Sequence, residues 1–175
     1  MRVPILAGLL GIPLVLFATG RLEASSSTVL GEADLADLVS RAETVCEVEV
    51  LDRVSVLLPD GRIETRYSLA TVLPMKGAMS SITELRMPGG EVAGRGLLIP
   101  GLPRLDEGER AILFLSAPNE LGWRMPVGLA EGAFRVVQEA QGAAVVRDGV
   151  GGAATSVLDH DAFVARILQE VQAGR

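Results

Sequence analysis

From Cys46 to Arg147 apolar and polar side chains alternate in short runs, and a turn signal recurs roughly every eight to twelve residues. A period of two sends successive side chains to opposite faces of a strand. The pattern therefore commits the chain to sheet, and a sheet of many short strands has to deal with its edges, most simply by closing on itself. The expected fold is mainly β: a small barrel with a short N-terminal helix and a C-terminal helix. No self-similar period of about 20–50 residues runs through the chain, which excludes solenoids and propellers.

The first predicted element is a helix over 30–42, where Leu35, Leu38, Val39 and Ala42 recur at helical spacing and Glu32, Asp34 and Asp37 suit the positive end of the dipole. A long strand over 46–58 follows, with Cys46, Val48, Val50, Val54, Val56 and Leu58 on one face, Glu47, Glu49, Arg53 and Ser55 on the other, and a bend near Asp52. Pro59-Asp60-Gly61 turns it into a second strand over 63–72, which makes a hairpin. Further strands are predicted over 82–87, 111–116, 123–127, 133–138 and 143–147, with a glycine-rich loop from Pro88 to Gly101 between the first two of them. Asp159 then caps a helix whose stripe is Phe163, Val164, Ile167, Leu168 and Val171.

The N-terminal segment carries an address. Arg2 precedes an apolar run over 3–18 that is short for a membrane span and holds Pro4 and Pro13, and Ala18-Thr19-Gly20 offers small residues for cleavage. Residues 1–20 are thus a predicted signal peptide, with an uncleaved N-terminal anchor as the alternative, and residues 21–175 a single β-barrel domain with flanking helices, its barrel core at about 44–147, with a flexible start at 25–28. The expected location is outside the cytoplasm, periplasmic or extracellular, with no membrane attachment after cleavage. A formal net charge of −6 without a block of Lys or Arg makes nucleic acid a poor partner. The one cysteine, Cys46, cannot close a disulfide within the chain, and its place in an apolar alternation makes it a buried thiol.

Three segments carry a resemblance: Arg41-Ala42-Glu43-Thr44-Val45, Thr71-Val72-Leu73-Pro74-Met75-Lys76-Gly77, and Gly108-Glu109-Arg110-Ala111-Ile112-Leu113-Phe114-Leu115. Their order resembles that of netrin-like domains and tissue inhibitors of metalloproteinases, which implies an OB-like barrel. With Arg86 to Val92 and Gly128 to Phe134 added, the chain is similar to a group of exported bacterial proteins associated loosely with secreted matrixin-type proteases. The inhibitors chelate zinc through an N-terminal cysteine held by disulfides. Here the predicted mature start is Arg21, so that chemistry does not carry over.

Catalytic sets are scarce. His160 lies between Asp159 and Asp161, which suits helix capping and supplies too few metal ligands by itself. Ser116 and Ser156 have no local base. Asp106, Glu107 and Glu109 share one turn and Glu47 and Glu49 one strand face, read as solvated positions; carboxylate chemistry would need two of them in unlike environments. Trp123 follows a turn and is read as a core or rim anchor. The expectation is a non-enzymatic domain without cofactor or metal that binds another exported protein, a co-exported protease among the candidates, through Gly89, Gly90, Glu91, Arg95 and Gly96 at one barrel mouth. The alternatives are an inhibitor or chaperone of such a protease, and a secreted carboxylate-dependent hydrolase.

Overall fold

A computed structural model describes residues 32–140, 142–148 and 154–174. The predicted signal peptide, the start at 25–28 and the first residues of the predicted N-terminal helix lie outside the described residues. The chain is mainly β. Helix α1 (Glu32–Arg41) leads into β1 (Thr44–Leu57), β2 (Ile63–Lys76) and β3 (Ile82–Pro88); β4 (Gly90–Val92) and β5 (Arg95–Leu97) form a small hairpin. After β6 (Arg110–Leu115) come a 3₁₀ turn at Leu129–Gly132, then β7 (Ala133–Glu139), β8 (Gly142–Asp148), β9 (Ala154–Asp159) and α2 (His160–Ala173).

Seven strands make one antiparallel sheet in the order β3-β2-β1-β6-β7-β8-β9. Strands β3 and β9 are its two edges and do not pair with each other, so no closed barrel is seen among the described residues. The expected closure is thus not among the pairings described. The edge of β3 is met instead by the segment 116–127, whose Arg124 N–H donates to Arg86 O at 3.0 Å.

The two sheet faces bury different clusters. On one face Val45, Met75, Ile112, Phe114, Phe134 and Val145 pack beneath both helices, with Leu35, Leu38 and Val39 from α1 and Phe163, Ile167 and Val171 from α2. Phe134 sits at the centre, its ring 5.7 Å from Phe114 and 4.8 Å from Phe163. Helix α2 starts where predicted: Asp159 accepts from Ala162 N at 2.8 Å. Helix α1 is closed from outside, because Lys76 Nζ donates to Val39 O (2.6 Å) and Ala42 O (2.7 Å). The opposite face buries Cys46, Val48, Val50, Tyr67, Leu69 and Leu113 under Leu105 and Leu102 of the 98–109 connection.

One bulge decides what the far end of the sheet presents. Pairing with β2 slips by one residue between Val50 and Asp52, so Leu51 is the extra residue and the alternation of β1 changes phase. The single predicted face over 46–58 is therefore wrong beyond Leu51. Arg53 and Ser55 join the face of Cys46, Val48 and Val50, while Val54 turns to the other and is exposed. Strand β2 also runs further than predicted, through Pro74, which lies beyond the reach of β3, where its missing N–H breaks no ladder on that side. No strand forms over 123–127. Pro126 has no N–H to donate there, and that stretch holds a single bridge, Leu115 to Pro126.

Candidate functional site

The glycine-rich stretch is not an open loop. Its alternation over β4 and β5 is closed by a two-residue turn in which Ala93 (φ 50°) and Gly94 (φ 76°) are both left-handed, the geometry that matches strand twist in tight hairpins. The hairpin folds onto β1 and β2 at Gly90. This residue has φ 125°, and a Cβ there would strike Ser55 Oγ and come within 2.5 Å of Thr65 Oγ1. Thr65 Oγ1 donates to Gly89 O at 2.8 Å, which leaves Ser55 Oγ as the donor in its 3.0 Å bond to Thr65 Oγ1. Two hydroxyls thus pin the hairpin in place.

Between the hairpin, the 98–104 segment and the sheet lies a groove of about 730 Å³. Met87, Tyr67 and Leu102 give it an apolar floor, and burial pushes the Tyr67 phenol up while the Leu105 backbone and nearby arginines pull it down. Leu97 and Leu98 form one wall, and Leu98 is 87 % exposed. Of the residues predicted to bind, Gly89, Gly90, Glu91 and Gly96 line this groove, whereas Arg95 stands on β5 outside the lining, exposed and opposite Val92. Arg53 and Arg104 border it and share one carboxylate, with Arg53 Nη1 at 2.9 Å and Arg104 Nε at 3.0 Å from Asp106 Oδ1. Asp106 N in turn donates to Glu109 Oε2 at 2.7 Å, so the acidic turn is internally tied, with Glu107 exposed beside it.

Two carboxylates are buried in the sheet. Glu47, expected on a solvated face, is only 1 % exposed, with Arg110 and His160 set against its carboxylate; Glu49, two residues further, is exposed as expected. Arg110 Nη2 donates to Glu47 Oε1 at 2.5 Å, and His160 Nε2 lies 3.0 Å from Oε2. His160 Nδ1 also lies 2.8 Å from Asp161 Oδ1. Burial lowers the His160 pKa, but hydrogen bonds to Asp161 and Glu47 outweigh it and hold the ring above its usual value.

Glu64 was not singled out by sequence, yet it is the more fully bonded of the two. Burial opposes its charge, but Arg86, Trp123 and Arg66 together override that and bring the carboxyl down to about 2. Arg86 spans both oxygens at 2.8–3.2 Å, Arg66 Nε donates at 2.8 Å and Trp123 Nε1 at 2.7 Å. Arg62 lies 5.4 Å from the Trp123 ring centroid. Trp123 is therefore a rim anchor. The only available clue was that Glu64 and Arg66 fall on the face opposite Thr65 and Tyr67; their partners come from elsewhere in the chain.

The remaining candidates are structural. Cys46 is fully buried, and desolvation pushes its thiol up to about 12, well away from nucleophilic use. Ser116 Oγ donates to Ala117 O at 3.0 Å and accepts from Met125 N at 3.2 Å. The side chain of Ser156 lies outside the described residues. Among the described residues no group of three or more His, Cys, Asp or Glu is placed to hold a metal ion, and no helix is long and apolar enough to cross a membrane. Comparison with known proteins finds no matching family model, no similar curated protein and no similar solved structure.

Proposed function

We propose that this chain is an exported, non-enzymatic domain that binds another protein of the cell envelope or exterior through the groove beside the β4–β5 hairpin. The observation that carries this reading is the pairing of Leu97 and Leu98, both exposed, with a groove whose wall is fixed by Ser55 and Thr65. Large apolar side chains held out on a braced surface lose water on docking without first having to be ordered. The sheet itself we read as an opened OB-like barrel. Support comes from the strand order β3-β2-β1-β6 together with the Arg124–Arg86 hydrogen bond, which ties β3 to the segment running beside the end of β6.

The test is capture from cells that export the full chain. The unaltered protein is expected to retain a partner that Leu98→Asp loses at least about tenfold, while Leu168→Asp on α2 retains it. Retention by both variants, or by neither, contradicts the assignment of the groove.

A further inference from the structure

We propose that the start of α2 is a proton-operated latch: the His160 imidazolium shares the buried Glu47 carboxylate with Arg110, and when the ring loses its proton Arg110 takes over and the first turn of α2 loosens. No residue lining the groove takes part, so the inference stands apart from the protein-binding reading. The first support is a count of hydrogens. His160 Nε2 lies 3.0 Å from Glu47 Oε2, and Nδ1 lies 2.8 Å from Asp161 Oδ1. An ionised carboxylate only accepts, so each contact needs an N–H from the ring, and a ring with two N–H groups is the cation. A positive charge on the first residue of a helix opposes the helix dipole. The acids that hold it there come from three elements: the capping Asp159 at the end of β9, Asp161 in α2 and Glu47 on β1. Arg110 on β6 is the cation on the far side of Glu47. Burial works against the His160 cation, and the bonds to Asp161 and Glu47 outweigh it.

The second support is an orphaned donor. Arg110 Nη2 donates to Glu47 Oε1 at 2.5 Å, while Arg110 Nε is buried and, among the described residues, has no hydrogen-bond partner. Nε and Nη2 are the two nitrogens with which a guanidinium grips a carboxylate side-on, as Arg86 grips Glu64. Glu47 Oε2, the atom that would complete the grip, is held by His160. A neutral ring keeps one N–H and turns a lone pair toward the other carboxylate. The Asp161 side chain is 97 % exposed and swings into water, whereas the Glu47 side chain is 2 % exposed and stays. The ring is then an uncharged donor to Glu47, with roughly half its former strength. It competes with a guanidinium N–H that is costly to leave buried and unpaired. Handing Oε2 to Arg110 satisfies Nε and frees the start of the helix. Further along α2, Phe163, Ile167 and Val171 are buried in the core, which confines the opening to the first turn.

The chain has a single histidine, so protein labelled at histidine gives one pair of ring-nitrogen NMR signals. Titrating the full chain should show both nitrogens protonated below a midpoint that lies above the ordinary 6.5. Glu47→Gln should move that midpoint down, and so should Asp161→Asn, whose exposed side chain leaves the fold intact and decides the matter if the Gln variant does not fold. Amide–water exchange, expressed relative to the unfolded-chain rate at each pH, reads the latch. Protection of the Ala162 amide should fall at least about threefold across the midpoint while that of Ile167 holds, and His160→Gln should abolish the step. Arg110→Lys keeps the charge but not the fork, so it should retain the titration and shrink the step by about half or more. A midpoint at or below 6.5, or one that neither acid variant moves, overturns the cationic assignment. No step at Ala162, or an equal one at Ile167, overturns the latch, and an undiminished step in Arg110→Lys overturns the handover to Arg110.

Discussion

The helix-covered half of the sheet and the half beyond Leu51 are built from the same alternation, yet the first buries a cluster of large apolar side chains under helices and the second leaves adjacent leucines open beside a groove. Under α1 and α2, Phe114, Phe134, Phe163, Ile112 and Ile167 are all buried. Beyond the bulge, Val54 and Leu57 on β1 and Leu97 and Leu98 by the hairpin are exposed, while Val72, Ile82 and Val157 are exposed on the near side of it. The difference comes from what covers each half. Two helices cover one face of the first and the 98–109 connection packs on its other face, whereas the second has only an eight-residue hairpin and part of that connection on one face and Trp123 with its arginines on the other. Apolar surface left open on a rigid sheet is available for association. On the proposed reading the first half is a scaffold and the second a working surface.

The contrast should appear most strongly in stability. Phe134→Ala opens a cavity between the Phe114 and Phe163 rings and is expected to cost about 3–5 kcal/mol in denaturant unfolding. Leu98→Ser, which exposes nothing new, should stay within about 0.5 kcal/mol. A comparable loss from Leu98→Ser would erase the distinction between the two halves.

The two buried carboxylates sharpen it. Glu64 holds the far half together, and Glu64→Gln should cost about 2 kcal/mol by weakening its bonds to Arg86, Arg66 and Trp123. Because its folded pKa lies below the usual 4.5, at about 2, Glu64 contributes stability that is present above pH 4.5 and lost as pH falls toward 2. Acid unfolding of the Gln variant, followed by circular dichroism, should be shallower over that window; an unchanged slope would remove Glu64 from the account.

His160, which meets Glu47 under α2, contributes with the opposite sign. The His160 pKa is raised on folding, so its contribution is complete below 6.5 and disappears as pH rises through the folded value. His160→Gln should remove that loss, a change of about 1 kcal/mol between acid and alkaline measurements. Persistence of the slope in the variant would place its origin in another group. Smallest of all is the hairpin turn: Ala93 has a left-handed backbone, and Ala93→Gly should gain about 0.5 kcal/mol, the relief of strain being partly offset by chain entropy.

Local patterns exposed much of this to a sequence reading, and non-local ones did not. The α2 stripe apart from Leu168, which is exposed at its margin, the Asp159 cap, the Pro59-Asp60-Gly61 turn and the buried run of β6 all depend on near neighbours and were legible. The phase change at Leu51 was not, because a bulge is defined by the partner strand, and only the bend expected near Asp52 hinted at it. Strand β9 was missed since small residues give its alternation little contrast, and the β4–β5 hairpin was hidden among glycines. The groove combined legible and illegible parts. Its glycines stood out in sequence, but Arg53, Ser55 and Tyr67 reach it only through the register of β1 and β2. Glu64 escaped notice for the same reason, since Arg86 and Trp123 lie 22 and 59 positions away.

The division into scaffold and working surface is tested most directly by photo-crosslinking in cells that export the full chain, with the reactive group placed at position 98 in one variant and at position 168 on α2 in the other. Both positions are exposed, so both probes reach solvent. The account predicts a discrete adduct from position 98 and none from position 168. An adduct from position 168 alone, or none from either, would contradict it.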